Sequence, residues 1–293
     1  MTTGKIPTFD ADQFEKVNYG VRAERQDLEK MSFNHFEIHR IEEHKGRIRF
    51  PLLPHRKTIN DFIYLTSGSV VRSKGLEVFE FQANQLFFLP AHTITSTHAV
   101  SNDAEGIYCH FSDELLNNNP IREFSLFDIS TCPIVTVPEV RRELILSFLN
   151  RLLEIEPNRK DLQSLYIQLF VSEVYLVYEP HNRPSKNSAL LITEKFKKTL
   201  LQSIYQNQTV ASFAELLNIT PNHLNKCVKA ATNKSAQDWI NDMIILEAKV
   251  LLRQSNMTIS EIAFELTNQD VSDFGRFFKN KIGLTPKEFR DID

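Results

Sequence analysis

The chain has 293 residues, with 34 Lys and Arg against 37 Asp and Glu, a formal charge of −3, 42% hydrophobic residues, 8 Gly and 12 Pro. That length and balance suit two globular domains and exclude a disordered, collagen-like or uniformly charged chain. The negative balance also excludes a protein that coats nucleic acid indiscriminately, because neutralising phosphates needs a basic excess.

Cys109, Cys132 and Cys227 are far apart and odd in number, so they write neither a disulfide framework nor a paired-cysteine zinc site. The opening MTTGKIPTFDADQF lacks the basic and apolar regions of a secretory signal, and no apolar run approaches the roughly 18 residues of a membrane span. A cytoplasmic protein with no membrane partner is expected. The chain also holds 22 Phe beside one Trp, enough apolar area for a large dry core or a dry pocket.

From about residue 35 to 111 the apolar residues come in short bursts. These are FIYLTSGSV, VVRSKGLEVFEF, QLFFLPAHTITSTHAV and GIYCHF, separated by Ser-Gly, Lys-Gly and Asp-Ala-Glu-Gly. Brief aromatic and β-branched runs at such spacing predict antiparallel strands in a barrel or sandwich. Beyond Pro138 the period turns helical. One stripe runs through Val140, Leu144, Ile145, Phe148, Leu152 and Ile155, and a second through Leu162, Leu165, Tyr166, Leu169, Phe170, Val174 and Val177. EPHNRPSKNS then loses its apolar residues and reads as a linker. The expected organisation is a regulatory domain over 1–135, a helical connector over 136–180, a linker over 181–188 and a helical domain over 189–293.

The last segment is punctuated. Phe213, Leu216 and Leu217 precede a break at 218–220, and Thr220-Pro221 then starts a helix: a hydroxyl to cap free amides, and a proline at the first helical position. A long amphipathic helix follows over 239–255, with Ile240, Ile244, Ala248, Leu251 and Leu252 on one stripe. The first pattern then returns, with Ile259, Ile262, Ala263 and Leu266, a turn over 267–271, and a helix carrying Phe274, Phe277 and Phe278 inward. Two helix-turn-helix units about fifty residues apart indicate an internal duplication.

The outward positions of the two second helices are Asn222, His223, Asn225, Lys226 and Lys229, and then Ser272, Asp273, Arg276, Lys279 and Lys281. Asn can pair with adenine and Arg or Lys with guanine, while further lysines neutralise phosphates. A single charged helix face is ordinarily just solvated. Two such faces behind capped turns at equivalent places point to DNA. The charge splits accordingly, with about +1 over 189–293 and about −4 over 1–188.

The last hundred or so residues resemble the AraC/XylS family of bacterial transcription regulators. The resemblance is carried by Leu224, Lys229, Ala248, Leu251, Leu252, Ile259, Ile262, Ala263, Asp270, Ser272, Phe274, Arg276, Phe278, Lys279, Gly283, Thr285, Pro286 and Arg290. Three positions depart from the family pattern. Thr267-Asn268 stands for the usual Gly-Phe, Ile244 for a basic residue, and Asp273 for an aromatic. The resemblance implies two second helices in successive major grooves, about 34 Å apart. It assigns base contacts to Asn222, Asn225, Lys226, Ser272, Asp273 and Arg276, and phosphate contacts to Lys229, Lys279 and Lys281.

The strand-rich region is similar to the cupin-like ligand-binding domain of such regulators. The fold class expected is therefore α+β multidomain: an N-terminal cupin-like antiparallel β-barrel with a helical connector, and a C-terminal all-α domain of two helix-turn-helix units joined by a long helix. Candidate effector liners are Tyr64, Phe88, His92, His98 and His110. His55-Arg56-Lys57 replaces the His-x-His of metal-binding cupins, so no metal and no cofactor is expected. The function implied is a sequence-specific regulator, an activator rather than an enzyme, controlled by a small-molecule effector. Its partners would be an operator in double-stranded DNA, RNA polymerase and a second copy of itself. The alternatives are a cupin metalloenzyme with an accessory DNA-binding domain and a constitutive architectural binder.

Overall fold

The computed structural model describes residues 36–44, 46, 50–116, 120–128, 131–178 and 188–292. These divide into two compact units, one up to residue 178 and one from 188 onward. The linker expected over 181–188 lies outside the described residues except for Ser188, which opens a helix.

The first unit runs β1 (Phe36–Arg40), α1 (Ile41–His44), β2 (His55–Arg56), β3 (Asn60–Ser67), β4 (Ser69–Lys74), β5 (Glu77–Gln82), β6 (Gln85–Leu89), β7 (Ile94–Val100), β8 (Glu105–Phe111), β9 (Ile134–Thr136), α2 (Glu139–Glu154) and α3 (Lys160–Tyr178). The strands form two antiparallel sheets, ordered β1-β8-β3-β6-β9 and β2-β7-β4-β5. The expected barrel is not closed: among the described residues no ladder joins the edges of the two sheets. The turn between β5 and β6 shows why. Asn84 sits at φ 65°, its N–H donates to Leu65 O and its C=O accepts from Val137, so the chain steps from one sheet to the other instead of extending the first.

Alternation along β3 separates two cores. Phe62 and Tyr64 face α2 and α3 together with Leu86, Phe88, Ile107, Phe111 and Phe170, whereas Ile63 and Leu65 face the second sheet with Val70, Phe81, Phe87 and Leu89. Much of the phenylalanine excess is therefore dry core, with Phe81 stacked on Phe87 at 5.0 Å. At Gly106, opposite Tyr64 and Leu65, a Cβ would lie 2.1 Å from Tyr64 O, so β8 approaches β3 as only glycine allows.

The buried stripes of α2 and α3 differ from those expected. Ile145, Leu149 and Leu152 are buried on α2 while Val140 is 89% exposed; on α3, Ile167, Phe170, Val171, Val174 and Val177 are buried while Leu165, Leu169 and Leu176 face outward. Polar anchors explain the rotation of α3. Ser164 Oγ donates to Leu115 O at 2.6 Å and Gln163 Nε2 reaches the carbonyls of Glu156 and Pro157, which pulls that side inward.

The second unit is α4 (Ser188–Ser203), α5 (Val210–Leu216), α6 (Pro221–Thr232), α7 (Ala236–Gln254), α8 (Ile259–Thr267), α9 (Val271–Ile282) and α10 (Pro286–Arg290). The long helix α7 begins three residues before the expected start, because Ser235 and Asp238 form a capping box ahead of it. Its expected stripe of Ile240, Ile244, Ala248, Leu251 and Leu252 is buried, each at or below 5% exposure.

Candidate nucleic-acid interface

The two helix-turn-helix units share one local solution. In the first, α5 ends before Asn218 at φ 54°, and Thr220 Oγ1 then accepts from His223 N to cap α6, with Pro221 in the first turn. In the second, α8 ends at Asn268 at φ 50°, and Asp270 Oδ1 accepts from the amides of Ser272 and Asp273 to cap α9. Each turn thus places a left-handed Asn two residues before the cap. Asn tolerates that conformation better than most side chains.

Helix α6 buries Leu224, Cys227 and Val228 and exposes Asn222, His223, Asn225, Lys226 and Lys229; α9 buries Phe274 and Phe278 and exposes Ser272, Asp273, Arg276, Lys279 and Lys281. All ten sequence-identified positions are therefore at the surface, but several are already engaged. Asn225 Oδ1 accepts from Ala236 N at 2.9 Å, tying α6 to the start of α7. The His223 ring lies 3.8 Å from Cys227 Sγ. Arg276 is paired with Asp273 one turn earlier on the same helix. Lys281 donates to Asp242 Oδ1 at 3.1 Å, and Lys234, just beyond α6, donates to Asp242 Oδ2 at 3.0 Å. Lys226 and Lys229 form no ion pair among the described residues.

Sequence reading missed the residues that hold this surface. Trp239 donates its indole N–H to Thr232 Oγ1 at 3.0 Å, and Lys197 lies 4.6 Å from the centre of its ring. Asp242 joins the flanks of both second helices, reaching Lys281 across a gap of 39 residues, and nothing in the local sequence sets it apart from Asp238 and Glu247 on the same helix.

Residues 213–292 match the sequence family described as Helix-turn-helix domain. This region is an AraC/XylS-type helix-turn-helix domain. Domains of this type bind DNA. The chain is 27% identical over 128 residues to the uncharacterized HTH-type transcriptional regulator YobQ of Bacillus subtilis, covering 40% of the chain and 53% of that protein. It is 27% identical over 127 residues to the arabinose operon regulatory protein of Escherichia coli, covering 43% of the chain and 42% of that protein. The matches thus span about half or less of these curated relatives. A longer match, 23% identical, covers 69% of the chain and 91% of AdaA of Bacillus subtilis, a bifunctional transcriptional activator and DNA repair enzyme. Among solved structures, ToxT from Vibrio cholerae aligns with 88% of the chain and 98% of its own, at 15% identity and a TM-score of 0.42.

In the first unit the five candidate effector liners do not share one space. Tyr64 and Phe88 belong to the core against α2 and α3. His110, on the other face of its sheet, stands 3.5 Å from Glu37, and burial pushes its pKa down to about 4 against the opposing pull of that carboxylate. His92 and His98 are exposed. Between the sheets lies a charged cluster that sequence reading passed over. Asp61, fully buried, takes Lys57 Nζ at 2.6 Å and both terminal nitrogens of Arg72 at 2.7 and 2.9 Å. Burial alone would raise the Asp61 carboxyl, but Arg72 and Lys57 outweigh it and hold it well below the usual range. Lys57 also donates to Tyr108 OH, and Arg72 Nε to Thr95 Oγ1. Among the described residues no group of three His, Cys, Asp or Glu is placed to hold a metal ion, and no helix is long and apolar enough to cross a membrane.

Proposed function

We propose that the chain is a sequence-specific DNA-binding transcription regulator, an activator without catalytic activity, whose first unit receives a small-molecule effector. The observation that carries this reading is the repeated device of a left-handed Asn, a capped helix start and an outward face rich in Lys, Arg and Asn, present at α6 and again at α9. A helix presented in this way enters the major groove with its first turns toward the base edges.

Asn222, Lys226, Ser272 and Arg276 would contact bases, with Asn225 and Asp273 contributing once their present partners are released. Lys229, Lys279 and Lys281 would contact phosphates, with His223 beside them. The outward leucines of α3, with Val140 and Leu144 of α2, would supply a homodimer contact, and RNA polymerase would be the partner in activation. The effector would act by binding two arrangements of the protein with different affinity. The cytoplasm is the compartment in which such a regulator would work.

Genome-wide footprinting of the purified protein tests the reading. Discrete protected sites with two half-sites about one helical turn apart are expected, and uniform or absent protection would overturn it.

A further inference from the structure

Among the described residues, four helices of the second unit carry an acid at their third position: Asp238 of α7, Glu261 of α8, Asp273 of α9 and Glu288 of α10. In α7, α8 and α10 the cap is a hydroxyl residue, Ser235, Thr258 or Thr285. Its hydroxyl donates to the acid and holds it back over the helix start in a capping box. In α9 the cap is Asp270, whose carboxylate accepts from the amides of Ser272 and Asp273 but has no proton to donate. Asp273 therefore turns forward to Arg276, one turn later.

This pair lies on the exposed face of α9, opposite the buried Phe274 and Phe278. An acid on a face that meets DNA repels phosphates. Bonded to Arg276 its charge is compensated, while Arg276 is held back from any other acceptor. The bond uses Nη2 of Arg276 and Oδ1 of Asp273, and exposed pairs of this kind add little to stability, so base edges can displace it. Three residues along a helix rise about 4.5 Å, close to the roughly 3.4 Å between successive base pairs. Two side chains so spaced reach adjacent base pairs.

The two acceptors of guanine match an arginine, and the amino donor of cytosine matches a carboxylate. The two contacts are linked, because each requires the bond within the helix to open. If Arg276 leaves for a guanine beside a thymine, Asp273 loses its counter-ion and faces another acceptor. Beside a cytosine it gains a donor instead. We propose that Asp273 and Arg276 read two adjacent base pairs as a coupled unit, guanine by Arg276 and cytosine by Asp273, exchanging their mutual bond for both base contacts together. This rests on the reading that α9 enters the major groove. It makes Asp273 a specificity-determining residue that rejects guanine and thymine at the neighbouring position.

The test is selection by the full chain from a randomised duplex pool, followed by affinities for the selected duplex and for its single and double base changes. The wild type should enrich a guanine next to a cytosine in one half-site. Changing either base should weaken binding about tenfold, and changing both should weaken it little more than changing one, since the pair then stays closed. Asp273→Asn, which substitutes an amide suited to adenine, should shift the neighbouring preference from cytosine to adenine. Asp273→Ala should abolish that preference, keep the guanine and tighten binding to random duplex several-fold. Arg276→Ala leaves the carboxylate uncompensated, so adding Asp273→Ala to it should tighten binding to random duplex relative to Arg276→Ala alone. An enriched site without the guanine and cytosine step, base changes whose effects multiply, or a profile untouched by both Asp273 variants overturns the proposal while the regulator reading stands. A wild type that enriches no sequence overturns both.

Discussion

Lys281 of α9 and Asp242 of α7 are joined at 3.1 Å, and the second oxygen of the same carboxylate holds Lys234 at 3.0 Å. One acid thus shields two lysines that flank the two second helices. A DNA phosphate must compete with Asp242 for both. Asp242→Asn is expected to raise affinity for a random-sequence duplex several-fold at low salt and to steepen its salt dependence. The melting temperature should hardly change, since exposed pairs contribute about 0–1 kcal/mol. Fluorescence anisotropy at two salt concentrations checks this, and weaker binding would show that the carboxylate serves the interface by fixing its geometry.

Arg276 and Lys229 should separate by specificity. Arg276→Ala is expected to cost roughly 1–3 kcal/mol on the preferred site and to relax one base position, whereas Lys229→Ala should weaken every sequence alike. Selection from a randomised operator pool, before and after each change, distinguishes the two. An unchanged preference in Arg276→Ala would remove that residue from base reading.

Acid should loosen the first unit. Burial drives the pKa of His110 down to about 4 and that of His55 to about 3, against about 6.5 in an unfolded chain. The unfolded chain then takes up protons that the folded one refuses. The stability these rings secure is complete above pH 6.5 and declines as the pH falls toward 4. By pH 5 each ring should withdraw about 2 kcal/mol. Urea unfolding followed across this range should show the slope, and His110→Gln should flatten it.

Thr220→Ala should destabilise the second unit by about 1 kcal/mol through loss of the cap on α6. Its effect on operator binding should exceed its effect on melting if, as proposed, the start of this helix is the end that meets the bases.

Much of this architecture was legible because its causes are local. The Thr220-Pro221 start, the α7 stripe and the alternation along β8 each depend on a few neighbouring residues. The exposed stripe of α3 was not legible in that way. Leu165 and Leu169 satisfy a helical spacing as well as Ile167 and Val171 do, and the choice falls to Ser164, whose hydroxyl finds the Leu115 carbonyl 49 residues away. The open sandwich likewise depends on the backbone of Asn84 reaching Leu65 and Val137. At the interface, which residues face outward followed from periodicity. Their engagement did not, since Asn225 and Lys281 find their partners on α7 only after the helices have packed.

The Lys57–Asp61–Arg72 cluster also constrains how this sequence can change over time. Replacing Asp61 alone strands two cations between the sheets, while replacing Arg72 alone leaves Asp61 to Lys57 and Thr95 without its ligand. Each single step passes through a damaged protein, although an all-apolar set of matched volume could pack well. Descendants of this chain are therefore expected to keep all three residues or to have exchanged them together, and the three positions should vary as one character.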